Sequence, residues 1–195
     1  AFKQTRKYRT ALDIGGNIGF WSRDMCQRFE RVEIFEPDPS NIECLKINLE
    51  GHDNYRLHEI GLGNKNTHKE FYKSHVSSGA HTFNPAHIPA GGITKSVLEI
   101  KTLDSFNLTN VDFIKIDTQG SEYEILQGAQ QTLIENKCVV NVEIGQKNPE
   151  QVKAGRPIFQ LMETLGYMKL DRFKRDEVLF AKRKRKITKQ AFKRK

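Results

Sequence analysis

The chain has 195 residues, 37% of them hydrophobic and 29% charged, a size and composition suited to one packed domain. Its apolar runs fall short of the roughly 18 to 20 residues that cross a bilayer. Ala1-Phe2-Lys3-Gln4-Thr5-Arg6-Lys7 carries charge with no apolar stretch behind it, so neither a membrane span nor a secretory leader is expected. The net charge of +8 is a property of one end: residues 182–195 hold nine Lys or Arg and no acid, which leaves residues 1–181 close to neutral.

In chain order, Thr10–Ile14 is an apolar run ending at glycines, the pattern of a buried parallel strand. Ile18, Ser22, Met25 and Phe29 then recur at helical spacing. Residues 31–36 read as a second strand stopped by Pro37 and Pro39, followed by a helix with Ile42, Leu45 and Leu49 on one face. Residues 55–60 read as a third strand ending at Gly61-Leu62-Gly63-Asn64, and 70–72 as a short one. A loop rich in Ser, Gly, His and Pro is expected from 74 to 94, and loops of that length are usually functional or disordered. Strand 97–100, strand 111–117, a single helix over 122–135 carrying Leu126, Ala129 and Leu133, and strand 138–144 follow. A helix over 158–165 stops at Gly166, and Tyr167–Phe173 with Glu177–Lys182 form a closing hairpin around Arg175-Asp176. Such alternation predicts a single α/β domain over 1–181 with a mostly parallel sheet covered on both faces, and a basic tail over 182–195.

Asp13-Ile14-Gly15-Gly16-Asn17-Ile18-Gly19 leaves a predicted strand and enters a predicted helix, the context in which a glycine loop binds a ligand. The spacing is not the G-x-G-x-x-G of a dinucleotide site, which argues against a nicotinamide dehydrogenase. An acid two residues before the first glycine repels a pyrophosphate but accepts a bond from an amino group, as the amino-acid end of S-adenosylmethionine would offer. Glu36, closing the second strand, can accept ribose hydroxyls. Cofactor binding is therefore expected at Asp13, Gly15, Asn17, Gly19 and Glu36.

These residues, with Phe35-Glu36-Pro37, Leu103-Asp104-Ser105-Phe106, the segment Phe113-Ile114-Lys115-Ile116-Asp117-Thr118-Gln119-Gly120-Ser121-Glu122, and Val142-Glu143-Ile144, resemble the FkbM family of methyltransferases from about Leu12 to Phe180. The resemblance implies the seven-stranded class I methyltransferase (Rossmann-like) sheet with an antiparallel last strand, which the closing hairpin suits. It implies S-adenosylmethionine as cofactor and O-methylation of a sugar or other small hydroxylated metabolite. It also sets the methionine moiety near Asp13, Gly15 and Gly19, the ribose on Glu36 and the adenine near the turn from Gly61 to Asn64. Gln119 stands where the family more often has Glu, and little chain precedes the first strand.

An alcohol acceptor needs a base. Asp117, ending the central strand where ligands gather in open α/β sheets, is the first candidate, with Glu122 and Glu143 at the same edge. Among the loop histidines His75, His81 and His87, His81 is the candidate base, and their even six-residue spacing suits no helical metal site, so no metal is expected. Cys26, Cys44 and Cys138 are read as buried free thiols of a cytoplasmic protein. Two other readings stay open. The basic tail could grip nucleic acid for a nucleic-acid methyltransferase, or the fold could serve as a binding module without catalysis.

Overall fold

A computed structural model of the chain describes residues 2–75, 81–83, 92–144, 149–173 and 177–182. It contains β1 (Thr10–Ile14), α1 (Phe20–Cys26), β2 (Arg31–Phe35), α2 (Pro39–Asn48), β3 (Tyr55–His58), β4 (Gly61–Leu62), β5 (Thr67–Ser74) and β6 (Ile93–Lys101). After them come β7 (Val111–Ile116), α3 (Glu122–Gln127), α4 (Gln130–Asn136), β8 (Val139–Glu143), α5 (Pro149–Thr164), β9 (Tyr167–Phe173) and β10 (Glu177–Lys182).

Seven strands make the main sheet in the order β3-β2-β1-β7-β8-β10-β9. The pairings from β3 through β8 are parallel, and β10 runs antiparallel to both of its neighbours. All five residues of β1 are buried, as a parallel strand covered on both faces requires. Alternation along the strands divides the core. Leu12, Ile14, Ile114, Ile116, Val140 and Val142 join Ile125, Leu126, Leu133 and Met162 on the face of α3, α4 and α5. Ala11, Val32, Ile34 and Phe113 join Met25, Leu45 and Leu49 on the face of α1 and α2. The strand order reverses between β1 and β7, and their carboxyl ends open the crevice in which such sheets bind ligands.

Several expectations are corrected. The third strand stops at His58, and Gly61–Leu62 belongs instead to a second sheet of order β4-β6-β5. Strands β5 and β6 are longer than the sequence suggested and pair from Thr67↔Ile100 to Ser74↔Ile93, so the base of the expected loop is an antiparallel ribbon. Thr82 bridges to Tyr72 above it, while residues 76–80 and 84–91 lie outside the described residues. The helix expected over 122–135 is two helices, broken at Gly128. A Cβ there would sit 2.0 Å from the Gly63 carbonyl oxygen, so the turn after β4 presses against bare backbone. Asp104 restarts the helix from outside: its carboxylate accepts from Gln131 N (3.0 Å), Thr132 N (2.8 Å) and Thr132 Oγ1 (2.7 Å), and so caps α4. Helix α5 begins at Pro149 and carries Pro157 inside it, the residue that reads as a boundary in sequence. Cys26 and Cys138 are buried, but Cys44 is exposed on α2. The expected turn at Arg175-Asp176 and residues 183–195 of the basic run lie outside the described residues. Lys182 is still part of β10, its ammonium 4.8 Å from the centre of the Tyr167 ring.

Candidate functional site

A cavity of about 370 Å³ opens at the carboxyl ends of β1, β2 and β7. Of the residues expected at the site, Gly15, Asn17, Glu36, Gly61, His81 and Asp117 line it; Asp13 and Gly19 do not. The structure thus gathers residues separated by a hundred positions in sequence, and sorts the glycine loop into a wall and a support.

The wall begins with Gly15, at φ +79°, where a Cβ would stand 2.0 Å from the Asp117 carbonyl oxygen. Only glycine lets the loop lie against the end of β7. Asn17 also adopts the left-handed conformation (φ 48°) and folds its Oδ1 onto Ile18 N at 2.7 Å. Its own N–H donates to Glu36 Oε2 at 2.8 Å. Glu36 Oε1 accepts from Asp38 N (3.0 Å) and Asn41 Nδ2 (3.2 Å). Burial pushes the Glu36 carboxyl above its ordinary value even against these three donors. A carboxylate has about four acceptor positions, so Glu36 keeps capacity for a ligand hydroxyl.

Asp13 is fully buried behind the wall. Alternation turns it toward α1, where Ser22 Oγ donates to Oδ2 at 2.6 Å. Lys115, its register partner on β7, stands 3.2 Å from Oδ1. Gly19, at φ +87°, heads α1 and packs on Leu45 of α2, where a Cβ would meet Leu45 Cγ at 3.2 Å. It serves to seat α1.

At the opposite wall the segment 115–122 forms one polar unit. Lys115 Nζ donates to the Gly15 carbonyl at 2.7 Å and lies 3.8 Å from Asp117 Oδ2. Gln119, in the left-handed conformation (φ 55°), donates its amide to Asp117 Oδ1 (3.2 Å) and Glu143 Oε2 (3.0 Å). Burial pushes the Asp117 carboxyl up, but the Lys115 charge and hydrogen bonds with Glu143 and Gln119 outweigh it and hold Asp117 below the usual range. Glu122, by contrast, accepts from Thr118 N (2.9 Å), Thr118 Oγ1 (3.1 Å) and Gly120 N (3.0 Å), so its carboxylate ties the turn that leads into α3.

His81 comes over the cavity from the β5–β6 ribbon, but both ring nitrogens face protein oxygens. Nε2 lies 3.2 Å from the Ser74 carbonyl, and Nδ1 lies 3.3 Å from Asp38 Oδ2 without hydrogen-bond alignment. Through Nε2 the ring fastens to the end of β5, while Nδ1 stands beside the carboxylate at the start of α2. His75 bonds Thr94 Oγ1 at 2.7 Å away from the cavity wall, and His87 lies outside the described residues. Among the described residues, no group of three or more His, Cys, Asp or Glu gathers in a way that could hold a metal ion.

Lys115 and the aromatic lining from Trp21, Phe71 and Phe83 were not singled out in the sequence, and Gln119 was noted there only as a departure from the family pattern. For Lys115 a signal existed. A lone cation inside a strand buried on both faces must be paired, and the acids two residues on and on the neighbouring strand are its available partners.

Known proteins resemble this chain in sequence and in fold. A family model described as the methyltransferase FkbM domain matches residues 13–168. The 2-O-methyltransferase NoeI of Sinorhizobium fredii (strain NBRC 101917 / NGR234) is 25% identical over 146 residues, covering 66% of this chain and 60% of that protein. Methyltransferase 1 of Beauveria bassiana (strain ARSEF 2860) is 24% identical over 142 residues, covering 60% of this chain and 57% of that protein. The chain thus spans somewhat more than half the length of the curated relatives it matches. Among solved structures, a methyltransferase FkbM from Methylobacillus flagellatus KT superposes with a TM-score of 0.57 at 18% identity, over 89% of this chain and 43% of that one. SMU.1697c of Streptococcus mutans, solved in complex with SAH, superposes with a TM-score of 0.56 at 10% identity, over 91% of this chain and 90% of that one. These likenesses show the class I methyltransferase fold, α/β with a mostly parallel seven-stranded sheet.

Proposed function

The chain belongs to the FkbM methyltransferase family, and from that premise we propose that it transfers a methyl group from S-adenosylmethionine to a hydroxyl oxygen of a sugar or other small hydroxylated metabolite. One observation carries the reading: a single cavity holds the bare backbone of the glycine loop and the side chains of Glu36 and Asp117. The loop is a cradle that a Cβ at Gly15 would fill, and Glu36 retains an acceptor position suited to a ribose hydroxyl, so these residues fit the cofactor. Gly15, Asn17, Glu36 and Gly61 are proposed to hold it, with Asp13 and Gly19 supporting the loop from behind.

When bound, the cofactor supplies an electrophilic methyl group on a sulfonium; the protein has to align the acceptor and help its proton leave. Asp117 is the proposed group for that work. Held ionised, it accepts a hydrogen bond from an incoming hydroxyl and takes up its proton as the new bond forms. Gln119 fixes the Asp117 carboxylate from one side, and a Glu there would set a further negative charge between Asp117 and Glu143. His81, whose Nε2 meets the Ser74 carbonyl, is proposed as a clasp of the ribbon, with Nδ1 the second candidate to take up a proton. The 2-O-methyltransferase activity in the name of NoeI supports an oxygen acceptor.

Residues 1–181 are proposed to form the methyltransferase domain, with 182–195 as a basic tail. No helix among the described residues is long and apolar enough to cross a membrane. Cys26 and Cys138 sit in different cores on opposite faces of the sheet, which accords with the cytoplasmic setting proposed here. The nine Lys or Arg of residues 182–195 favour a second reading, methylation of a nucleic acid gripped by the tail. Transfer of labelled methyl from the cofactor, run in parallel on a panel of glycosides and on bulk RNA and DNA, tests the choice. Label in a glycoside supports the main reading; label only in salt-sensitive RNA or DNA fractions replaces it.

A further inference from the structure

We propose that Lys115 is a positioning residue that joins the two walls of the cavity: one ammonium grips the Gly15 carbonyl and is the shared counter-charge of Asp13 and Asp117. The proposal rests on the reading in which Asp117 faces the acceptor.

Strand β7 sets the constraint. Phe113, Ile114 and Ile116 are essentially buried, and Lys115 among them is 5% exposed. Taking an ammonium out of water costs several kcal/mol unless opposite charges and acceptors replace the solvent. Alternation sets Lys115 on the α1 face of the sheet, and the β1–β7 register sets Asp13 directly beside it. The next residue on that face is Asp117. Burial works against the Lys115 charge, yet Asp13 and Asp117 together raise its affinity for the proton above the ordinary lysine value. It stays a cation.

Its ammonium reaches three different elements. It donates a hydrogen bond to the Gly15 carbonyl in the glycine loop (2.7 Å), and its charge faces Asp13 Oδ1 on β1 (3.2 Å) and Asp117 Oδ2 (3.8 Å). Asp13 carries the tie on to α1 through Ser22 Oγ. The loop that would cradle the cofactor and the carboxylate that would meet the acceptor are therefore fixed to the same atom. The groups that face Asp117 are Lys115 on β7, Gln119 in the following turn and Glu143 on β8, while Asp13 and Glu36 add their charges at Lys115. Lys115 is the cation among them, so its removal is felt first by Asp117.

Lys115→Met alone leaves Asp13 as an unpaired buried carboxylate and is expected to unfold the chain or come close to it. The informative variant is Asp13→Asn combined with Lys115→Met, which removes both charges of the buried pair. The side-chain carboxyl of Asp117 is followed by carbon-13 NMR across pH, and binding of S-adenosylhomocysteine by calorimetry. In the double variant, Asp117 is expected to bind its proton about tenfold more tightly or more, the effect of losing an opposite charge within about 4–6 Å. Binding of the nucleoside is expected to weaken along with it, because the Gly15 carbonyl has lost its anchor. A folded double variant in which Asp117 titrates as in the parent overturns the proposal. If the parent itself fails to bind the nucleoside, the cofactor reading falls, while the titration still reports whether Lys115 governs Asp117.

Discussion

Gly15→Ala and Gly51→Ala form a matched pair that separates two costs of a side chain on left-handed backbone. Gly51 has φ +86° and nothing within 4 Å of an added Cβ; Gly15 has φ +79° and a backbone oxygen at 2.0 Å. Both alanines pay the left-handed conformation, about 1–2 kcal/mol, and both recover a similar part of it from a stiffer unfolded chain. Only Gly15→Ala must also push the loop away from Asp117, by about 1.5 Å to reach a normal contact distance. That movement takes with it the Asp117 N–H to Ile14 carbonyl bond (3.1 Å) and the Lys115 bond to the Gly15 carbonyl (2.7 Å). A neutral hydrogen bond is worth about 1 kcal/mol net and a charged one about 1.5–3. The two variants should therefore differ by about 3 kcal/mol, or roughly 6–12 °C in melting temperature for a chain of this size. Urea unfolding followed by circular dichroism measures the difference. A Gly15→Ala variant within about 0.5 kcal/mol of Gly51→Ala would refute the close approach on which the cavity wall depends.

Two further outcomes are expected. Burial raises the Cys26 thiol to about 11 and the Cys138 thiol to about 12, while Cys44 is exposed, so a thiol reagent should modify Cys44 rapidly and the other two only on unfolding. Burial also pushes the Glu33 carboxyl up, but the His58 hydrogen bond at 2.6 Å and the Arg31 charge outweigh it and leave Glu33 below its ordinary 4.5. A depressed acid stabilises the fold above its unfolded value and loses that contribution as pH falls through the folded one. Glu33→Gln should accordingly lower stability near neutrality by about 1–3 kcal/mol and flatten the loss between roughly pH 5 and pH 3; denaturant titrations across pH read both.

The sheet was legible because parallel strands announce themselves. Residues 10–14 and 111–116 are apolar runs ended by glycine or an acid, and the structure places them side by side at the crevice. What stayed hidden depended on contacts distant in sequence. The break at Gly128 is set by the carbonyl of Gly63, and the restart of α4 by Asp104, neither of which helical periodicity inside 122–135 can report. The ribbon of β5 and β6 is rich in polar and charged residues, so its alternation is weak, and it showed only as two short strands, 70–72 and 97–100, with a loop between them. At the site, residue types were readable and directions were not. Asp13 stood in the right motif, but strand parity turns it from the cavity toward Ser22 and Lys115. His81 stood in the right segment, and its contacts with the Ser74 carbonyl and the Asp38 carboxylate depend on chain that sequence alone does not bring near it.

Cofactor binding at the glycine loop and Glu36 is tested by calorimetric titration of the purified chain with S-adenosylmethionine and S-adenosylhomocysteine, with NAD as control, repeated on Glu36→Ala. Both sulfur nucleosides are expected to bind and NAD is not, with a loss of at least about tenfold in the variant, or about 1.4 kcal/mol. A folded parent chain that binds neither nucleoside, or a folded Glu36→Ala variant that binds them as the parent does, would contradict this expectation.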